Sequence, residues 1–299
     1  MNFLDHLLER SCGANLPDGM NRVNPNNFCD INFIRDGNGQ PVILVHGIAA
    51  SLHDWSDLAL ELRYAGMETI VLDLPGHGDS CKPEGLDLYH LENVFDTMVE
   101  WIRSLELAVP PILIGHSLGG YLILEYALRY PDQILGLILI NPFFSPDQIP
   151  VLVRLSYREN MIGAAARRSV PRWFYDWMVE ATSFLNPGRY FLKHDLPQKT
   201  RKQMAENYRQ AAPGIFKLPF TARNLEPYLP NIITPTLVIY GIRDTTLDPR
   251  SFERLINLLP NGQGISLKAG HVPHQSNAEE TYRYILDFIA RTFLTPAHD

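Results

Sequence analysis

The chain has little cysteine: its 299 residues include only Cys12, Cys29 and Cys81, without a C-x-x-C pair or the Cys/His spacing of a metal site. So few, in odd number, exclude a disulfide-dense framework. The expectation is free thiols in a reducing compartment, with no structural metal and no cofactor. Long apolar runs are also missing, since no stretch approaches the ~20 continuous residues of a membrane span. The segment from Met1 to Arg10 carries Asp5 and Glu9 and lacks the basic flank and apolar block of a secretory signal, so a cytoplasmic location is expected. Positive charge is in deficit, with 26 Lys and Arg against 33 Asp and Glu, which argues against nucleic acid as a general partner. There is no internal repeat and no low-complexity tract.

What is present is a globular composition, 45% hydrophobic and 20% charged, in a chain long enough for one large domain with an insertion. Phe3, Leu4, Leu7 and Leu8 recur at helical spacing, and Ser11 to Asn27 reads as irregular chain. Cys29 to Arg35 is an early strand. From there strands and helices alternate: a strand over Pro41 to Val45, a helix through Trp55, Leu58 and Leu62, a strand over Glu68 to Leu72, a helix from Leu88 to Leu107, then strands at Pro111 to Ile114 and Ile134 to Ile140. The pattern lapses between Phe143 and Asn231, where helical periodicity appears around Arg154 to Arg168, Pro171 to Phe184 and Gln198 to Gln210. It resumes with a strand at Thr236 to Tyr240, a helix at Ser251 to Leu259 and a strand at Ile265 to Lys268. A last helix runs from Ser276 to Leu294, opened by a Ser276-x-x-Glu279 capping box. Such alternation implies an α/β fold with a mostly parallel central sheet and helices on both faces, whose ligands bind beyond the carboxyl ends of the strands.

The segment that organises the rest is Gly115-His116-Ser117-Leu118-Gly119, where an apolar strand turns sharply into a helix. A serine in such a turn takes a strained backbone, and a side chain two positions away on either side would collide with its neighbours. Glycine at 115 and 119 removes both collisions. The turn presents the Ser117 hydroxyl at the positive end of the following helix.

A serine hydroxyl is a weak nucleophile, so it needs a base and a third group to orient that base. Gly241-Ile242-Arg243-Asp244 offers a carboxylate just past one strand, and Ala269-Gly270-His271 an imidazole just past the last. His274 is a rival base, further from the strand end. Asp248 is a rival acid, but it precedes Pro249 where an acidic residue caps the next helix. Asn141 ends the preceding strand, where an amide cannot serve as the acid. Asp73 and His77 in a glycine-rich loop, and His46 and His116 beside the strand ends, read as structural.

The segments His46-Gly47, Asp73-x-x-Gly76-x-Gly78-x-Ser80, Gly115-x-Ser117-x-Gly119-Gly120, Gly241-x-x-Asp244 and Gly270-His271 occur in the order of the α/β-hydrolase superfamily. From Pro41 to Phe293 the chain resembles that family, in its capped esterase and lipase-like branch. The resemblance implies an α/β-hydrolase core over residues 1–142 and 232–299, and a helical cap or lid over 143–231. It implies a serine hydrolase that cleaves a carboxylic ester through an acyl-enzyme. Ser117 is then the nucleophile, His271 the general base and acid, and Asp244 its orienting partner. The backbone amides of Ile48 and Leu118 form the oxyanion hole. A Ser nucleophile separates the chain from haloalkane dehalogenase and epoxide hydrolase relatives, which use a carboxylate. Thioesterase or carbon-carbon bond hydrolysis with the same triad, and a ligand-binding receptor of low turnover, are the competing readings.

The inserted block differs in charge from the rest. Residues 143–231 carry 13 Lys and Arg against 7 Asp and Glu, leaving 13 basic and 26 acidic residues elsewhere. Docking of a basic block on an acidic core explains this, and contact of Arg167, Arg168 and Arg172 with an anionic substrate or lipid surface is the alternative. Trp173, Phe174, Tyr175 and Trp177 read as cap packing, or as the lining of a pocket for an apolar or lipid-like ester.

Overall fold

The computed structural model describes residues 30–149 and 196–294. The expected N-terminal helix, the helical patterns at 154–168 and 171–184, the aromatic run at 173–177 and the Arg167, Arg168 and Arg172 cluster lie outside the described residues.

Seven strands form one sheet in the order β1-β3-β2-β4-β5-β6-β7. They are β1 (Phe33–Asp36), β2 (Gln40–Val45), β3 (Met67–Leu72), β4 (Ile112–His116), β5 (Gly136–Ile140), β6 (Thr236–Gly241) and β7 (Gly262–Leu267). Only β1 runs antiparallel, along β3; the other pairings are parallel. The central strands read as continuous apolar runs because both of their faces are covered. In β2, Ile43 and Val45 point into one core and Val42 and Leu44 into the other. The same alternation sends Leu113 of β4 to the first core and Ile112 and Ile114 to the second.

Helices α2 (Leu91–Ser104), α3 (Leu118–Arg129) and α5 (Pro249–Leu258) close the first core, and α1 (Ser56–Tyr64) and α7 (Ala278–Ile289) the second. In the described part of the 143–231 block, α4 (Gln198–Gln210) and two 3-10 segments, Pro213–Thr221 and Glu226–Asn231, lie between β5 and β6, with no strand among the described residues. Pro213–Thr221 packs on the first core through Ile215 and Leu218. Arg223 pairs with the buried Glu125 of α3 at 2.8 Å, and Leu225 N–H donates to Phe144 O at 2.9 Å.

Two expectations are corrected. Cys81 is disulfide-bonded, not a free thiol, so cysteine usage no longer argues for a reducing compartment. The capping box at Ser276-x-x-Glu279 does not form. Pro273 starts a separate short helix, α6 (Pro273–Ser276), and Ser276 lies inside it with its hydroxyl donating to Asn277 Oδ1. Asn277 is the residue that precedes α7. Among the described residues no helix is long and apolar enough to cross a membrane.

Candidate active site

Ser117 sits between β4 and α3 with φ 51° and ψ −113°, a conformation L residues rarely adopt. Its N–H donates to Ile140 O at 3.1 Å, and its carbonyl accepts from Phe143 N at 2.9 Å and Tyr121 N at 3.2 Å. The strained turn is thereby tied to β5 and to its own helix. A Cβ at position 119 would lie 2.1 Å from Val45 O, and one at position 115 would lie 2.6 Å from Gly119 O. Both glycines are required by close approach of backbone to backbone.

Asp244 and His271 reach the same sheet edge from two neighbouring strands. The loop after β6 is stitched to the end of β7 and the chain beyond it by Ile242 N–H to Leu267 O and Arg243 N–H to Ala269 O, each at 3.0 Å. His271 Nδ1 lies 2.7 Å from Asp244 Oδ2. The other carboxylate oxygen accepts from Thr246 N–H at 2.8 Å and Leu247 N–H at 3.1 Å. Burial acts to raise the Asp244 carboxyl, but His271, Asn141 and the Leu247 amide outweigh it and hold the group below the ordinary carboxylate range. Asp244 is therefore an acceptor that stays ionised, and the His271 ring is oriented by it while remaining partly exposed among the described residues.

Asn141, excluded as an acid from its chemistry, lies against this pair. Its Nδ2 donates to Asp244 Oδ2 at 2.7 Å and its Oδ1 accepts from Gly241 N–H at 3.2 Å. Its backbone has φ 41°. The signals for it were the Asn-Pro stop at the end of β5 and the tolerance of asparagine for positive φ.

The rivals fall elsewhere. His274 is fully buried, stacked on Trp55 with ring centroids 4.8 Å apart, and neither ring nitrogen has a partner among the described residues. Burial first, and His271 second, push it down to about 3. Asp248 caps α5, accepting from Arg250 N–H at 3.1 Å. His116 packs its ring on His271, centroids 4.9 Å apart, and its Nε2 contacts the His271 carbonyl at 2.9 Å.

The glycine-rich loop is a fixed turn around Asp73, which accepts from Leu52 N–H at 2.7 Å, Asn32 Nδ2 at 2.8 Å and Asp79 N–H at 3.0 Å. His46 accepts from Leu74 N–H through Nε2 at 3.0 Å and contacts Gly47 O through Nδ1 at 2.7 Å. These contacts hold the turn after β2 against the serine: a Cβ on Gly47 would come within 3.2 Å of Ser117 Cβ. Ile48, in the turn after β2, is half-buried, and Leu118, the first residue of α3, is buried. Among the described residues no group of three or more His, Cys, Asp or Glu side chains is gathered as metal ligands.

Residues 40–278 match the family model of the alpha/beta hydrolase fold, and the chain belongs to that family. Its relatives include hydrolases and esterases. It is 32% identical over 117 residues to bifunctional epoxide hydrolase 2 of Sus scrofa, a match covering 39% of this chain and 21% of that protein. The chain thus spans about a fifth of the length of that relative. It is 27% identical over 258 residues to a pimeloyl-[acyl-carrier protein] methyl ester esterase of Neisseria meningitidis, covering 83% of this chain and 76% of the relative. Among solved structures, a thermophilic esterase from Thermogutta terrifontis superposes with a TM-score of 0.72 at 24% identity, covering 88% of this chain and 94% of the other.

Proposed function

We propose that the protein is a serine hydrolase that cleaves a carboxylic ester through an acyl-enzyme. The observation that carries this reading is the 2.7 Å contact between an ionised Asp244 and the His271 ring, set at the sheet edge where Ser117 stands in a strained turn. His271 takes the Ser117 proton through Nε2 as the hydroxyl attacks the ester carbonyl, and returns it to the leaving alcohol. Asp244 fixes the ring by accepting from Nδ1 and stabilises the imidazolium that forms. Water then repeats the sequence on the acyl-enzyme. The backbone amides of Ile48 and Leu118 receive the oxyanion, where one donor is worth about 3 to 4 kcal/mol. Residues 143–231 form a cap over this edge and supply the specificity for the acyl and alcohol groups, on a small-molecule substrate.

The test is a series of p-nitrophenyl esters of rising chain length with purified protein, alongside Ser117→Ala and a fluorophosphonate probe. Sustained turnover and labelling are expected in the wild type. Both should vanish in Ser117→Ala, where losing a nucleophile costs on the order of 10⁶ in turnover. Activity near wild type in that variant would refute the assignment. Binding without repeated turnover would favour a receptor, and selective cleavage of thioesters or carbon-carbon bonds would move the substrate class while keeping the triad.

A further inference from the structure

A second polar cluster at the same sheet edge takes no part in the steps above. Helix α4 is polar along its length, Gln-Lys-Thr-Arg-Lys-Gln-Met-Ala-Glu-Asn-Tyr-Arg-Gln, and buries only Ala205 and Asn207. A helix with so little apolar surface to hide is placed by other contacts. Asn207 is 4% exposed. Its Oδ1 accepts from the buried Ser51 hydroxyl at 3.0 Å, and from Gln203 Nε2 at 2.9 Å. Its Nδ2 donates to Asp54 Oδ1 at 3.2 Å.

Ser51 ends the turn that follows β2, Asp54 lies in the 3-10 segment Leu52–Trp55 that comes next, and Asp54 N–H donates to Ser51 O at 3.0 Å. On the core side this turn is pinned by Leu52 N–H to Asp73. Just ahead of these anchors Ala49 has φ 53°, a conformation that an L residue keeps only where its surroundings over-determine it. The same carboxyl also reaches the loop of the imidazole. Burial pushes Asp54 up to about 7, with Asp73 acting in the same direction, against hydrogen bonds from Gln275 and Asn207. Gln275 lies in α6, four positions beyond His271. One amide on α4 thus holds a turn that faces Ser117 on one side and the His271 loop on the other.

We infer that Asn207 is a positioning residue, which through Ser51 and Asp54 sets the Gly47–Ser51 turn, and with it the Ile48 amide, at the place where the oxyanion forms. The assignment rests on the serine-hydrolase reading above. Removing the amide leaves a buried hydroxyl and a half-buried carboxyl without their shared partner. The turn then relaxes, and a displacement of about 1 Å at a reacting site costs about a hundredfold in rate.

Asn207→Ala, Ser51→Ala and the double variant are compared with wild type on the p-nitrophenyl ester that the wild type turns over fastest, together with thermal unfolding. The expected result is a fall in kcat of about tenfold to a hundredfold, with KM within about threefold, because an oxyanion donor acts on the transition state. Ser51→Ala should show the smaller loss, since it leaves the Asn207–Asp54 bond in place, and the double variant should lose no more than Asn207→Ala, since the Ser51 bond is already cut there. A change in KM alone, strictly additive losses, or wild-type kinetics in Asn207→Ala would each overturn the assignment. If Asn207→Ala does not fold, Ser51→Ala deletes a single hydroxyl and carries the same kcat criterion, and an unchanged kcat there refutes the proposal. Failure of the underlying reading is seen elsewhere: wild-type protein would then show neither ester turnover nor fluorophosphonate labelling.

Discussion

Asn141 combines a backbone conformation that asparagine tolerates with a side chain that both donates and accepts. At φ 41° it turns the chain out of β5 and aims its Nδ2 at Asp244. Replacing it by Ala removes a hydrogen bond to a charged group, worth ~1.5–3 kcal/mol. We expect kcat/KM of Asn141→Ala to fall about tenfold to a hundredfold on that basis, with Ser117 still labelled by the probe, though more slowly. The pH consequence has a definite sign. A carboxyl held below its ordinary value stabilises the native state above that value and loses the contribution as pH falls through its lowered one. Without Asn141 the Asp244 carboxyl rises, so acid unfolding of the variant should begin at higher pH than in wild type, as followed by circular dichroism. The sequence showed that position 141 holds an amide at the end of a strand, but not what that amide bonds. Its partners stand at 241 and 244, across a block of the chain that no local pattern spans. Ser117, Asp244 and His271 could be singled out as candidates in the sequence because each follows the end of a strand within four residues, with glycine nearby at 115 and 119, at 241 and at 270.

The turn from β4 into α3 is held at two levels, by backbone contact at its start and by charge further along. At its start Gly119 lies against the β2 backbone, so Gly119→Ala should push α3 away from β2 and cost several kcal/mol or prevent folding. Loss of soluble expression, or a large drop in the unfolding midpoint, would report it. Further along, Glu125 is buried and receives both Arg129 of its own helix at 2.5 Å and Arg223 at 2.8 Å. Arg129 also reaches Glu92 of α2 at 2.6 Å. Both arginines keep substantial exposure, so the pair gains less than a fully buried one would. Glu125→Ala should destabilise by about 1–3 kcal/mol, measured by urea unfolding, and loosen the Ala222–Leu225 segment that Arg223 fastens. The central strands were read within a few residues of their observed ends because burial on both faces writes them as apolar runs. Helix ends were read less well. The helix expected over Leu88 to Leu107 spans Leu91–Ser104, and the capping box at Ser276 yielded to Pro273, which starts a helix three residues earlier.

Four histidines, His46, His77, His116 and His274, are buried in the core and lowered in basicity chiefly by that burial. Each is less basic in the native state than in the unfolded chain, which binds a proton there below about pH 6.5. Their contribution to stability is therefore complete above about that pH and declines as acid is added, by up to ~1.4 kcal/mol per pH unit for each histidine. We expect the urea midpoint to fall steadily between about pH 6.5 and pH 4.5. His274→Phe, which keeps a ring against Trp55, should remove one histidine's share of that slope, and an unchanged slope would show that His274 is protonated in the native state. A different consequence follows from the pairing of β5 with β6. Ile140 and Ile239 are register partners although residues 141–235 run between the two strands. The entropy of closing a loop grows only with the logarithm of its length, so doubling that excursion costs ~0.6 kcal/mol. The sheet is thus nearly indifferent to the length of chain inserted there. A block of another length can be accommodated between Asn141 and Thr236 without disturbing the register of β5 on β6, provided that the bonds the block makes back to the strand ends, Phe143 N–H to Ser117 O and Asn207 to Ser51, are kept.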